Sequence, residues 1–246
     1  MLNEKEIFEL SGLRKLKPWQ EEKRYIQSLV IYALSNEELT MKGGTYLWLF
    51  HGLNRFSEDL DFTLDGVLKD PESQVSKALK LFGVNSSITT IKDDRHTLTF
   101  RVNALGPLFS TTKTTCYVYV EISRREKPVL EPDVIKLDEP LYGMPVAFLN
   151  GMKLEEVAAE KVRAIITRSS SRDLYDLWFL MHRLNVKLDA SLIQSKLSFY
   201  NTTYQNFREK VEQNRGIWRR ELEPVIFGKI PDFDQVAGEA LQKLVL

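Results

Sequence analysis

Two consecutive glycines, Gly43 and Gly44, stand between a short apolar run, Leu39-Thr40-Met41, and a stretch from Thr45 to His51 that reads as a short helix. This order constrains the chain strongly: a buried strand must end and a helix begin within two positions. Glycine supplies the backbone freedom for that change of direction. It also lets the backbone approach a phosphate closely and leaves the helix N-terminal amides open to an anion. By itself, such a pair is most often a plain turn.

The flanking segments sort by hydrophobic period. Trp19 to Ser35 predicts a helix, with Ile26, Leu29, Val30 and Ala33 on one face and Glu21, Glu22 and Lys23 opposite. Asp59 to Leu64 alternates as a strand, Leu60, Phe62 and Leu64 to one side and the acids to the other. Pro71 to Phe82 predicts a helix closed by Gly83. Ser87 to Lys92, Thr97 to Val102 and Thr114 to Ile122 predict strands, rich in Thr, Val, Ile and Tyr. Arg124 to Asn150 reads as loop and holds four of the nine prolines. After Gly151 the texture changes: Met152 to Arg168, Arg172 to Leu184, Leu188 to Leu197 and Tyr204 to Arg220 all predict helices. The expected division is an α/β or α+β domain over residues 1–150 and a helical domain over 151–246.

Composition narrows the class. Of 246 residues, 43% are hydrophobic and 28% charged, the mix of a soluble globular chain. Apolar runs such as Leu47 to Phe50 fall far short of the roughly 20 residues a membrane helix needs. The start, Met1-Leu2-Asn3-Glu4-Lys5-Glu6, lacks the pattern of a signal peptide. The single cysteine, Cys116, excludes an internal disulfide framework and a Cys-rich zinc site. His51, His96 and His182 have no ligand spacing. These features predict a cytoplasmic protein without membrane contact. Formal net charge is zero, which disfavours coating of nucleic acid by bulk charge. Met152 to Arg220 nonetheless holds 13 Lys/Arg against 8 Asp/Glu. That excess hints at an anion facing the helical half; the plain alternative is a solvated helical surface.

Asp59 and Asp61 lie two apart on one strand, so both point to the same face. Paired carboxylates repel unless a divalent cation joins them, and magnesium favours carboxylate and phosphate oxygens together. An isolated Asp-x-Asp is usually only a solvated face. Glu121 adds a third acid inside an apolar strand, flanked by Val120 and Ile122, where an acid needs a partner or a task; a buried salt bridge is the plain alternative.

The Gly-Gly turn, the Asp-Leu-Asp strand and the later lone-acid strand together resemble the pattern of polymerase-β-like nucleotidyltransferases. The spacer from Thr45 to Glu58 is 14 residues, toward the long end for that pattern, and Thr45 stands where many members carry serine. A second block, Leu154 through Ile166 followed by Arg168 and Arg172-Asp173-Leu174-Tyr175-Asp176-Leu177-Trp178, narrows the resemblance. With Lys42-Gly43-Gly44-Thr45 and Arg55 to Phe62, it is similar to the abortive-infection AbiEii/AbiGii toxin family, over roughly Gly43 to Leu180.

The resemblance implies an α+β fold, a polymerase-β-like domain with a mixed sheet followed by a helical C-terminal domain that completes the cleft. It implies an enzyme toxin of a type IV toxin–antitoxin pair, moving a nucleoside monophosphate from a nucleoside triphosphate (NTP) to an acceptor such as the tRNA 3′ end. A separate winged-helix antitoxin is the implied partner. Asp59, Asp61 and Glu121 would hold one or two Mg²⁺ ions; Gly43, Gly44 and Thr45 would cradle phosphates, with Arg55 and Ser57 nearby. Lys161 falls within the apolar stripe of Leu154, Val157, Ala158, Val162 and Ile165, so it either snorkels or serves a buried anion. By resemblance it is the lysine that holds triphosphate oxygens. Asp176, favoured over Asp173, is the catalytic acid of the second block; either could orient Lys161, Arg168 or Arg172, and Asp173 could instead complement the helix dipole. Arg55 could equally be a loop arginine. The aromatics Tyr200, Tyr204, Phe207 and Trp218 could stack on bases, although core packing explains their spacing better. Two other readings stay open: the same chemistry on a small molecule such as an aminoglycoside or on a protein hydroxyl, and a catalytically silent binding module of the same fold.

Overall fold

The computed structural model describes residues Met1 to Lys243. Helix α1 (Glu4–Arg14) opens the chain. No period marks this helix in the sequence, although its capping box is legible: Asn3 and Glu6 exchange side-chain and backbone hydrogen bonds. Helix α2 (Pro18–Leu34) begins on a proline, whose missing N–H costs nothing at a first helical position. Strand β1 (Leu39–Lys42) runs straight into helix α3 (Gly43–His51), so the helix takes in both glycines rather than following them. Strand β2 (Leu60–Leu64), helix α4 (Pro71–Leu81), and strands β3 (Asn85–Asp93), β4 (Thr97–Leu105) and β5 (Cys116–Ser123) follow.

The stretch read as loop holds two further strands, β6 (Asp133–Leu137) and β7 (Ala147–Gly151). Each is five residues long and each lies just beyond a proline, Pro132 or Pro145. Proline is tolerated at such strand margins, so a proline-rich stretch hid short strands that only partner pairing reveals. The seven strands form one mixed sheet in the order β3-β4-β5-β2-β1-β7-β6. The β1–β7 and β2–β5 pairs are parallel and the others antiparallel. One sheet face is apolar: Met41, Phe62, Ile122 and Leu98 share a registered row and are all buried. Helix α2 packs on β5, α4 on β3, and the two helices on each other.

The chain divides into two compact units. The first comprises Met1–Tyr46, Glu58–Pro128 and Pro132–Gly151 and contains the whole sheet. The second comprises Leu47–Ser57, Val129–Glu131 and the chain from Met152 onward. Two stretches of the first 150 residues therefore cluster with the helical unit. Asn54, Arg55 and Phe56 bond to Phe227, Ile226 and Val225. The Val129 and Leu130 amides bond to Glu156. Both connections are long-range and invisible to local period.

The second unit is helical: α5 (Leu154–Thr167), α6 (Ser171–His182), α7 (Ala190–Phe199), α8 (Phe207–Gln213), α9 (Trp218–Leu222) and α10 (Phe233–Lys243). The helix expected from Tyr204 to Arg220 is broken. A 3₁₀ turn at Tyr204–Asn206 precedes α8, and the chain leaves α8 at Asn214, whose buried amide bonds back to the Lys210 carbonyl at 2.8 Å. Gly216 follows and weakens continuation further. Phe207 and Trp218 are buried in the core, as packing alone requires. Among the described residues no helix is long and apolar enough to cross a membrane.

Candidate active site

The sheet unit gathers the acids through register. Asp61 pairs with Glu121 across the parallel β2–β5 ladder and with Lys42 across the antiparallel β1–β2 ladder. Registered neighbours project to the same side, so Lys42, Asp61, Glu121 and Thr99 form one row across four strands. Glu121 is exposed, which corrects the expectation of an acid within apolar surroundings. Its neighbours Val120 and Ile122 point to the opposite, buried face. Lys42 joins the row by parity along β1, a placement that only the pairing with β2 reveals.

Asp59 precedes β2, with an exposed side chain and a firmly held backbone. The Thr45 hydroxyl donates to the Asp59 carbonyl at 2.5 Å. Next to it, Lys23 pairs with Glu58 at 2.8 Å and the Gln27 amide donates to the Glu58 carbonyl at 2.9 Å. Thr45 is fully buried, so its hydroxyl anchors the acid segment instead of presenting itself to a phosphate as expected. Gly43 has φ +78°, and a Cβ there would overlap the Asp61 carboxylate. The glycine turn and the acid strand are thus in direct contact, and only glycine fits both the conformation and the space.

The helical unit holds a buried ion network. Arg55 clasps Asp176 through two hydrogen bonds, Nε to Oδ1 at 2.6 Å and Nη2 to Oδ2 at 2.7 Å, and its Nη1 donates to the Phe56 carbonyl. Lys161 reaches Asp176 at 2.6 Å and Asp173 at 2.9 Å. Arg168 completes the set with Nε to Asp173 at 2.8 Å. Lys161 does not snorkel: it is 7% exposed and its ammonium is paired inside. Burial works to lower its pKa, but Asp173 and Asp176 outweigh that and hold it above the ordinary lysine value. Burial likewise works against the Asp173 carboxylate, yet Lys161 and Arg168 pull its pKa well below the usual range. Arg55 is buried, with all three guanidinium nitrogens bonded within the unit, so it organises Asp176 instead of standing open to a phosphate. Asp173 and Asp176 both face Lys161; Asp176 is the one that also receives Arg55. Ser57 is half-buried at the end of the same segment.

Among the described residues no three His, Cys, Asp or Glu side chains converge tightly enough to form a ready-made metal cluster. The donor set nevertheless suits magnesium. Magnesium is typically held by one or two carboxylates and completes its shell with substrate phosphates and water, and the Asp61–Glu121 row provides such a pair.

Residues 27–239 match the family described as "Nucleotidyl transferase AbiEii toxin, Type IV TA system". The chain belongs to the AbiEii family. An uncharacterised protein of Aquifex aeolicus is 25% identical over 235 residues, spanning 90% of the AbiEii chain described here and 98% of its own. Two solved structures share the fold. JHP933 from Helicobacter pylori superposes with a TM-score of 0.64 at 23% identity, covering 91% of this chain and 88% of that one. The nucleotidyltransferase toxin MenT4 of Mycobacterium tuberculosis superposes with a TM-score of 0.63 at 20% identity, covering 93% of this chain and 83% of that one. The mixed sheet followed by helices is therefore the fold of these solved structures, and AbiEii membership makes this chain a nucleotidyltransferase of the toxin–antitoxin class.

Proposed function

We propose that this AbiEii protein transfers a nucleoside monophosphate from a nucleoside triphosphate to the 3′-terminal hydroxyl of an RNA, tRNA above all, with release of pyrophosphate. The observation that carries the reading is the Asp61–Glu121 register, with Gly43 set against the Asp61 carboxylate. Asp59, Asp61 and Glu121 are the residues that would hold Mg²⁺. Bound there, the metal would offset charge on the attacking and leaving oxygens of the phosphoryl group.

The chain's own groups supply the remainder. The first amides of α3, beginning at Gly43 and Gly44, have no partner within their helix and suit phosphate oxygens. Glu121 is exposed and positioned on the acid row to accept the proton of an acceptor hydroxyl, with Asp61 beside it. Lys161 stays charged between Asp173 and Asp176, and the family resemblance assigns it to the triphosphate. A Lys161→Met variant should raise KM for the nucleotide; an unchanged KM makes the lysine purely structural. A separate winged-helix antitoxin is the partner in this reading, and the cytoplasm its place of action.

Label from α-³²P nucleoside triphosphates, each of the four offered separately, should pass to total tRNA. Asp61→Ala should reduce the transfer by about 10²–10³-fold or more. Label entering a small molecule or a protein instead would overturn the RNA acceptor and leave the chemistry standing. No transfer to any acceptor would overturn the catalytic assignment of these acids.

A further inference from the structure

We propose that the outer face of β3, β4 and β5 is the track along which the unpaired 3′ end of the RNA acceptor lies, leading its terminal hydroxyl to Glu121. The inference rests on the RNA-directed reading above. It begins with an imbalance on β5: Val118, Val120 and Ile122 are buried, whereas the alternate positions, Tyr117 and Tyr119, are 39% and 40% exposed. Both large rings stand partly open to water on one strand face, and they share that face with Glu121.

The rings are part of a built surface. The Arg101 guanidinium lies 4.8 Å from the Tyr117 ring centre and 6.0 Å from that of Tyr119. Its orientation is set by Nε donating to Asn103 Oδ1 at 2.7 Å. Asn103 in turn donates to the Ser87 and Thr89 hydroxyls at 3.1 and 3.0 Å. These contacts join two registered rows, Thr89–Arg101–Tyr119 and Ser87–Asn103–Tyr117. The six positions contain one cation, two aromatic rings, three neutral polar groups and no carboxylate. The acids are confined to the next row, where Glu121 stands beside Asp61. A negatively charged backbone therefore meets attraction along the rows and carboxylates only at their end.

The spacing suits a chain of stacked bases. Same-face residues on a strand are about 6.8 Å apart, so Tyr119 and Tyr117 lie roughly 7 and 14 Å from Glu121 along β5. Ring and guanidinium planes stack on any base and so tolerate any terminal sequence. Bases within an A-form duplex are not available to such planes, which makes the surface selective for an unpaired end. Hydroxyl and amide groups around the rings keep the face wet, unlike the apolar core of a stable protein interface.

The test uses the full chain with Tyr117→Thr and Tyr119→Thr combined. Threonine keeps strand propensity while removing both rings, and a companion with both tyrosines changed to phenylalanine keeps stacking. Binding is measured by anisotropy with a fluorescent RNA hairpin carrying a four-nucleotide 3′ overhang and with the same hairpin blunt-ended. Wild type should prefer the overhang. The threonine variant should bind it about tenfold or more weakly and show a raised KM for RNA, with nucleotide KM and melting temperature unchanged. The phenylalanine variant should bind as wild type does. If the threonine variant folds poorly, Arg101→Met replaces it and should give the same pattern. Wild-type affinity in the threonine variant, with RNA labelling by wild type intact, overturns the track but not the RNA acceptor. Loss of antitoxin binding alone overturns it in favour of a protein interface. Absence of RNA labelling by wild type removes the acceptor reading and the track with it.

Discussion

Asp176 is fully buried and receives Arg55 and Lys161 at once, and these two cations balance its charge. Asp176→Ala takes the carboxylate from the buried Arg55 guanidinium, while Lys161 retains Asp173. Breaking a buried pair by removing one partner costs about 3–5 kcal/mol, and urea denaturation of the variant should show a loss of that order. Asp173 sets an acid limit. Its folded pKa is depressed, so its contribution to stability is present in full above the unfolded carboxylate value and is lost as pH falls toward the folded one. Melting temperature should therefore drop as pH is lowered from about 4, and Asp173→Asn should flatten that part of the profile while lowering the plateau. Gly43→Ala faces both an unfavourable φ and an overlap with Asp61. It should cost at least about 1–2 kcal/mol and displace the Asp61 carboxylate, measured as a lower melting temperature together with loss of nucleotidyl transfer.

At the scale of elements, Glu156 is a joint. From α5 it accepts the Val129 and Leu130 amides at 2.9 Å and pairs with Lys196 of α7 at 2.7 Å, and both charged side chains are fully buried. One carboxylate thus ties two helices and the short 129–131 stretch together. Glu156→Ala should free those amides and remove the 2.7 Å ion pair of Lys196, whose contact to Glu160 is longer at 3.4 Å. Hydrogen exchange should accelerate at Val129 and Leu130 and at the α7 amides, ahead of the sheet. Unchanged protection there would show that packing alone holds the stretch. Between α3 and β2 the tie is lighter. The Thr45 hydroxyl on the Asp59 carbonyl is one neutral hydrogen bond, for which Thr45→Val should cost about 0.5–1.5 kcal/mol.

At the scale of the whole molecule, the acid row is separable from the core. Asp61 sits on the polar face of β2 while Phe62 is buried on the other. Replacing it should leave the fold intact, so the consequence in cells reports chemistry and not folding. Expression of the wild-type protein should slow bacterial growth with a fall in protein synthesis, and Asp61→Ala, expressed to the same level, should relieve it. Equal toxicity of the two proteins would detach growth arrest from the acid row.

What the sequence by itself determined is what local period and residue chemistry can express. Alternation from Leu60 to Leu64 put Asp61 on the face opposite Phe62; a 3.6-residue stripe put Lys161 inside α5; the glycines marked the end of β1. Their family resemblance was carried by the same residues. Tertiary structure decided which segments meet. Asp61 lies beside Glu121 because β2 and β5 pair in parallel, a long-range register that the intervening residues do not encode. Arg55 looked like a loop arginine or a phosphate ligand, because its partner Asp176 stands 121 residues away. Strands β6 and β7 were missed because short strands beside prolines show little period of their own and become strands only by pairing with each other and with β1. Glu121 was misjudged for a related reason: Val120 and Ile122 surround it in sequence, but a strand sends successive side chains to opposite faces, and which face lies open depends on what packs against the sheet.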